Sequence, residues 1–400
     1  MGIGNVLQVS VRLSEGGAAG VARNIARELE HRGILSPFAY GYGPHGRASP
    51  HVNEVDSTRI TSLPIVAINR ISYSYRGRDT PFKDPGSLRA LRKRLAAADV
   101  VHLHIIHSSF VGPNVLFDEL IAAGKPVVWT LHDQWAMTGR CAQPGTCARW
   151  KNGCAVCPNL HAYPPARIDR ARSNWTERRT AIGRLEESLP LALVACADWL
   201  AVEAREAELP NVLTIRNSVD REFWTHATSD QYRRNGSQDV TRNLFICRDL
   251  RDPVKVDWDV LTAVAGLGGQ SLTIVGDNAP REVEGALFLS ATGDRAMLAG
   301  IYASHDRLIF TSQVDYYPLT IAEAITSGVE VFAIRSRAAN EFSGNPLLRI
   351  FDTSIDLLAA LSRLSPQPLP EADLQNARAI FDPARMTDEY LALYRSLVGH

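Results

Sequence analysis

The sequence predicts an α/β protein made of two doubly wound domains, each a parallel sheet flanked by helices. Three observations carry that expectation. Short apolar, β-branched runs of strand length alternate with stretches of helical apolar spacing through both halves of the chain. The first strand leads through a glycine turn into a helix. The alternation breaks once, in a polar segment at 218–239.

In the first half, residues 5–10 read as a short buried strand and Ser14-Glu-Gly-Gly17 as a turn. Residues 18–31 read as a helix with Val21, Ile25 and Leu29 on one face and Gly33 as its stop. A strand follows at 35–41, a basic helix at 87–98, a strand at 100–105 and a helix at 114–123 ending at Gly124. Residues 126–131 (PVVWTL) are apolar and β-branched, as expected of a central parallel strand. A helix at 175–187, a strand at 191–196, a helix at 198–207 and a strand at 212–216 close the half.

The second half repeats the alternation, with strands at 244–248, 271–275, 307–311 and 329–334. Helices are expected at 258–267, 295–303, 319–327, 355–364 and 386–398, with a proline-rich turn at 365–370. The domains are therefore set at 1–217 and 218–379, with a C-terminal helix at about 386–398 that could pack back on the first. Two such domains side by side would face each other across a cleft at the C-terminal ends of their sheets, where ligands bind.

Composition narrows the function. Lys and Arg number 43 and Asp and Glu 43, so no whole-domain basic footprint for nucleic acid exists. No apolar run approaches 18 residues, and the start MGIGNVLQVS lacks a basic signal region. A soluble, cytoplasmic protein is expected. The chain carries neither a Gly-x-Gly-x-x-Gly fingerprint nor a P-loop lysine motif.

Several residues carry candidate chemistry. Asp315 precedes the helix at 319 and Glu323 lies within it, so the pair could hold a polar ligand. The amides of Leu319 and Thr320 open that helix and suit an anion. Arg248, Arg251 and Lys255 follow the first strand of the second domain and could neutralise a diphosphate. Gly16-Gly17 precedes a helix and could approach a phosphate. His132-Asp133 ends the strongest strand of the first domain, and His102, His104 and His107 follow another. Alternation puts only His102 and His104 on one strand face, which favours buried, hydrogen-bonded imidazoles over metal ligands.

Cys141, Cys147, Cys154 and Cys157 lie within 17 residues. The final Cys-x2-Cys is metal-like, so structural zinc or an iron–sulfur group, disulfides and free thiols all stay open. Arg59, Arg70, Arg76, Arg78, Lys83, Arg89, Arg92, Lys93 and Arg94, opposed only by Asp79 and Asp84, form a basic segment. With its apolar and aromatic neighbours it suits either solvent or an anionic membrane surface or diphosphate-linked acceptor.

From Asn5 to its last helix the chain resembles the retaining GT-B glycosyltransferases of family four. The resemblance is strongest at Thr130-Leu-His-Asp-Gln-Trp-Ala-Met-Thr-Gly-Arg-Cys141, with Cys147, Trp150, Gly153-Cys154 and Cys157-Pro158 behind it. This segment is similar to a subgroup found in bacterial exopolysaccharide and cell-surface glycan pathways. Ile215–Asp220, Arg248–Lys255 and Asp315–Glu323 with Ala324 and Gly328 resemble further family segments.

The resemblance implies transfer of a hexose from a UDP- or GDP-linked sugar to a hydroxyl of a glycan, lipid-linked or small-molecule acceptor, with configuration retained. It implies that Gly17 approaches donor phosphate, that His132 touches the transferred sugar, and that Arg248 and Lys255 hold the diphosphate. Asp315 would contact sugar hydroxyls, Glu323 the ribose, and Glu341 the base or sugar loop. No cofactor is expected in catalysis beyond the donor, apart from structural zinc at the four cysteines. Ser218, Val256, Glu330 and Arg337–Asn340 depart from the family's glycine and proline pattern. The competing readings are a non-catalytic subunit of the same shape and an epimerase of nucleotide sugars.

Overall fold

The computed structural model describes residues 2–13, 15–78, 85–229 and 240–399. Ser14 of the glycine turn, Asp79, Lys83 and Asp84 of the basic segment, and 230–239 of the polar segment lie outside the described residues. The elements run β1 (Val6–Ser10), α1 (Gly17–His31), β2 (Phe38–Tyr40), β3 (Ser57–Arg59), α2 (Leu63–Arg76), α3 (Pro85–Ala97), β4 (Val100–Leu103), α4 (Pro113–Ala123) and β5 (Val127–Leu131). There follow α5 (Ala171–Ser188), β6 (Leu191–Ala195), α6 (Asp198–Glu206), β7 (Val212–Thr214), α7 (Arg221–Ala227), β8 (Thr241–Asp249), α8 (Trp258–Ala265) and β9 (Gln270–Asp277). The chain ends with β10 (Ala286–Leu289), α9 (Arg295–Ala303), β11 (Arg307–Phe310), α10 (Leu319–Thr326), β12 (Glu330–Ile334), α11 (Arg337–Asn340), β13 (Leu348–Phe351), α12 (Ser354–Arg363), α13 (Glu371–Arg378) and α14 (Pro383–Val398).

The chain divides into two compact units. Unit 1 holds Met1–Arg216 and Met386–His400; unit 2 holds Asn217–Arg385. Among the described residues, the sheet of unit 1 has the order β3-β2-β1-β4-β5-β6-β7 and that of unit 2 the order β10-β9-β8-β11-β12-β13. Every pairing is parallel. Both sheets therefore reverse direction once, between β1 and β4 and between β8 and β11. Each is a Rossmann-like doubly wound sheet, and the pair is the GT-B architecture.

In unit 1, β1, β4, β5 and β6 are buried along their whole length, as central parallel strands covered on both faces must be. Helix α1 lays Val21, Ala22, Ile25, Ala26 and Leu29 on the sheet. Gly16, at φ 101°, supplies the turn into α1 that a residue with a Cβ would resist. Helix α14 returns to unit 1 with two fully buried tyrosines. The Tyr390 hydroxyl lies 2.8 Å from Thr130 Oγ1, and Tyr394 lies 2.7 Å from His102 Nδ1.

Unit 2 packs Leu250, Val256, Leu261, Val264, Ile274 and Leu357 into one core. Val256 stands where the resembled family has glycine, and its side chain is part of that core. Side-chain caps start five of its described helices: Asp220, Asp257, Asp294, Ser336 and Thr353 accept from amides of α7, α8, α9, α11 and α12. Glu330, in place of a common proline, is buried at the start of β12 between Arg307 (3.5 Å) and Arg349 (3.4 Å). No described helix is long and apolar enough to cross a membrane.

Differences from the sequence reading concentrate in weakly buried elements. Strands β3, β10 and β13 are at best half-buried and only three or four residues long. Helix α13 follows the proline-rich turn with Ala377 as its only buried residue. Strand β8 runs past the expected 244–248 at both ends because β9 pairs along it from Thr241 to Asp249, and Arg248 lies within it.

Gly276 sits where β9 passes the irregular end of β8. A Cβ there would lie 2.0 Å from the Cys247 carbonyl oxygen and 2.8 Å from Leu250 Cγ. Gly276→Ala should cost about 1–3 kcal/mol of stability, the range for overpacking. Urea denaturation of the full chain measures it; an unchanged midpoint would show that the strands can part freely.

Candidate functional site

In unit 2 the loops leaving β8 and β11 stand at the reversal point of the sheet, where open α/β sheets bind ligands. The two loops are tied together. Thr311 donates to the Lys255 carbonyl at 2.6 Å, and the Gln313 amide donates to the Val254 carbonyl at 3.0 Å. Across this junction Lys255 Nζ donates to Asp315 Oδ1 at 2.6 Å. Burial lowers the Lys255 pKa, but the Asp315 carboxylate more than offsets it, and the ammonium ends above its ordinary value.

The ammonium has three donors and Asp315 takes one, so two stay available to a ligand's oxygens. Arg248 is exposed on β8. Arg251 is held by Asp249 through two bonds, of 2.9 and 2.7 Å. Leu319 and Thr320 open α10 behind Pro318, so their amides are first-turn donors.

Glu323, on the same helix, faces inward. Tyr302 donates to its Oε2 at 2.9 Å, and burial, only partly opposed by Arg295 and Tyr302, pushes its pKa up to about 7. A ribose contact would fall to its other oxygen. Glu341 follows α11 and is half-buried.

In unit 1, His132 follows β5 and is 9% exposed. Its Nε2 lies 3.0 Å from His104 Nδ1, and His104 Nε2 lies 2.8 Å from Gln8 Oε1. The rings of His102, on β4, and His104, just past its end, are 4.2 Å apart, as residues two apart in extended chain allow. Burial holds all three imidazoles neutral: His102 and His104 titrate well below the ordinary range and His132 at about 4. His107 is paired with Asp133 at 2.8 Å, and Asp133 also accepts the Trp135 amide. Ser108 and Ser109, next along, both have positive φ, of 77° and 67°. Strain of this kind in residues with side chains gathers at working sites. Gly17 is exposed as the first residue of α1, and a Cβ there would meet nothing within 4 Å.

Cys141, Cys147, Cys154 and Cys157 line one small cavity and are free thiols. Among the described residues no group of three or more His, Cys, Asp or Glu is placed to hold a metal ion. No disulfide joins these four cysteines. Burial pushes the Cys141 thiol up to about 11, and Arg140 lies 3.9 Å from both Cys141 and Cys157. Arg140 organises the loop instead, donating to the carbonyls of Asn159, Leu160, Ala162 and Pro164.

Tyr302, Thr311, Gln8 and Arg140 were not singled out in the sequence. Only Arg140 lies in a recognisable motif, the Thr130–Cys141 segment, and each acts through a partner at least 18 residues away.

A family model described as Glycosyltransferase Family 4 matches residues 15–223. A curated relative, the putative colanic acid biosynthesis glycosyl transferase WcaC of Escherichia coli, is 30% identical over 423 residues, 98% of this chain and 100% of that protein. Among solved structures, HepE of Anabaena in complex with UDP is similar at a TM-score of 0.65 and 14% identity, over 98% of this chain and 100% of that one. A glycosyltransferase of Rickettsia africae matches at a TM-score of 0.63 and 13% identity, over 99% of each chain.

Glu323 binds a proton in the folded state that the unfolded chain releases near 4.5. Stability contributed by that proton is present below pH 4.5 and is lost as pH rises to about 7. The loss should amount to about 3 kcal/mol across the window. Glu323→Gln should flatten this slope in denaturation curves taken from pH 4.5 to 8; an unchanged slope would place the carboxyl in solvent.

Proposed function

Because this chain belongs to Glycosyltransferase Family 4, we propose that unit 2 binds a nucleotide-linked sugar at Lys255 and Asp315 and that unit 1 binds the acceptor. The chain is a nucleotide-sugar-dependent glycosyltransferase. UDP is the first nucleotide to test, since the similar HepE was solved with UDP and with UDP-glucose. GDP is the second. The acceptor is a hydroxyl of a growing surface polysaccharide, by likeness to a protein named for colanic acid biosynthesis.

The Lys255–Asp315 pair carries this reading. Asp315 keeps the ammonium charged, and the remaining donors of Lys255, with Arg248 and the Leu319 and Thr320 amides, neutralise the departing diphosphate. The second oxygen of Asp315 accepts a sugar hydroxyl; in unit 1, His132 meets a substrate hydroxyl. The bond from the anomeric carbon to phosphate breaks, a bond to the acceptor oxygen forms on the same face, and the leaving diphosphate takes the acceptor's proton. Configuration is retained and no divalent cation is required.

Peripheral contact with an anionic membrane on the cytoplasmic side belongs to the same reading. Helix α2 exposes Leu63, Ile68, Ile71 and Tyr75 beside Arg70 and Arg76. Ile68→Asp with Ile71→Asp should abolish sedimentation with vesicles containing anionic lipid. Equal binding by the double variant would remove α2 from the contact.

Lys255→Ala should lower kcat by about 10²–10³-fold, the scale for losing one donor to a developing anion. The assay follows sugar transfer, and transfer at the original rate would refute the role. A panel of UDP-, GDP- and dTDP-sugars in thermal shift names the donor; no shift with any would favour the non-catalytic subunit.

A further inference from the structure

His132 is joined to a line of buried polar groups whose hydrogens can be counted from the far end. The Ser36 hydroxyl donates to the Val6 carbonyl at 3.2 Å, so its one proton is used there. Its oxygen must therefore accept from Gln8 Nε2, 3.0 Å away. That fixes the Gln8 amide with Oε1 toward His104 Nε2, at 2.8 Å, so His104 donates from Nε2. A neutral His104 then has only a lone pair at Nδ1, and His132 must donate to it from Nε2 across 3.0 Å.

We propose that this relay, from Ser36 through Gln8 and His104, sets the tautomer of His132 and leaves its Nδ1 as an unprotonated acceptor for a substrate hydroxyl. Gln8, Ser36 and His104 are 1% exposed or less, so water does not replace a missing link. Among the described residues Nδ1 of His132 carries no hydrogen bond, and a small cavity lined by His132, Asp133, His107 and Trp135 adjoins the ring. Burial favours the neutral form of both imidazoles, as the relay requires.

The chemistry selects a ligand class. An unprotonated nitrogen attracts a hydroxyl hydrogen and repels phosphate oxygens, so His132 reads a neutral sugar or acceptor hydroxyl, and the diphosphate is left to the cations of unit 2. Gln8 and His104 are positioning residues, acting through His132. The catalytic consequence rests on the proposed reading of His132 as a sugar-site residue; the tautomer does not.

The test separates the two. Long-range 1H–15N correlation spectra of the full chain, labelled at histidine and assigned by omitting His132 as His132→Gln, report which ring nitrogen is protonated. The expected wild-type result between pH 6 and 8 is a protonated Nε2 and a bare Nδ1; a protonated Nδ1 overturns the proposal without any variant. Gln8→Leu frees His104 to reverse, so His132 should move toward the Nδ1-protonated form, and kcat should fall at least 10-fold with donor KM within 3-fold. An unchanged His132 tautomer in folded Gln8→Leu protein overturns the relay. If the tautomers are as stated but His132→Gln transfers sugar at the wild-type rate, the sugar-site reading falls instead.

Discussion

A partly buried ammonium can hold its charge only while an anion faces it, and the loops of unit 2 are arranged around that constraint. Lys255 leaves β8 and Asp315 leaves β11, the two strands between which the sheet reverses. Their 2.6 Å contact closes a junction also held by Thr311 and Gln313. Take away the ion pair and burial would press Lys255 toward the neutral form. Take away the strand reversal and nothing would bring the two loops together. Sheet order, loop contacts and positive charge are thus one arrangement, and the proposed stabilisation of an anionic leaving group rests on it.

Unit 1 meets the opposite problem. Its central strands bury Gln8, His102, His104 and Thr130, polar groups that burial penalises unless each finds a partner. The solution is a closed set of hydrogen bonds from β1, β4, β5 and α14, with every imidazole neutral. Such a network is directional because each member has a limited number of hydrogens. One half of the molecule therefore organises charge and the other organises lone pairs.

Most of the architecture was legible because parallel strands buried on both faces must be apolar runs, and PVVWTL at 126–131 is hard to read otherwise. Helices with one apolar face, such as 18–31 and 295–303, were equally plain. The half-buried β10 and β13 were not, since ALFL and LRIF are only four residues each, too short for a periodicity to show. Lys255 and Asp315 could each be picked out by position, but not their contact, which spans 60 residues. Glu323 was read as a ligand-facing or solvated carboxyl because eight residues of helix do not say which side carries Tyr302. The cysteine spacing left metal, disulfides and free thiols open, and gave no sign of the loop carbonyls that Arg140, within the Thr130–Cys141 segment, gathers.

The chain leaves unit 1 at Arg216 and comes back to it only at Met386. A nascent polypeptide emerging from the ribosome therefore presents β4 and β5 long before Tyr390 and Tyr394 exist to receive His102 and Thr130. Thr130 and Tyr390 are 260 residues apart, about ten to fifty seconds of elongation. The first lobe waits for translation to reach its last helix before its polar interior can close. Chains cut short ahead of α14 would lack the hydroxyls that meet Thr130 and His102, so the discontinuous connection makes the polar interior of the first lobe depend on a segment made much later.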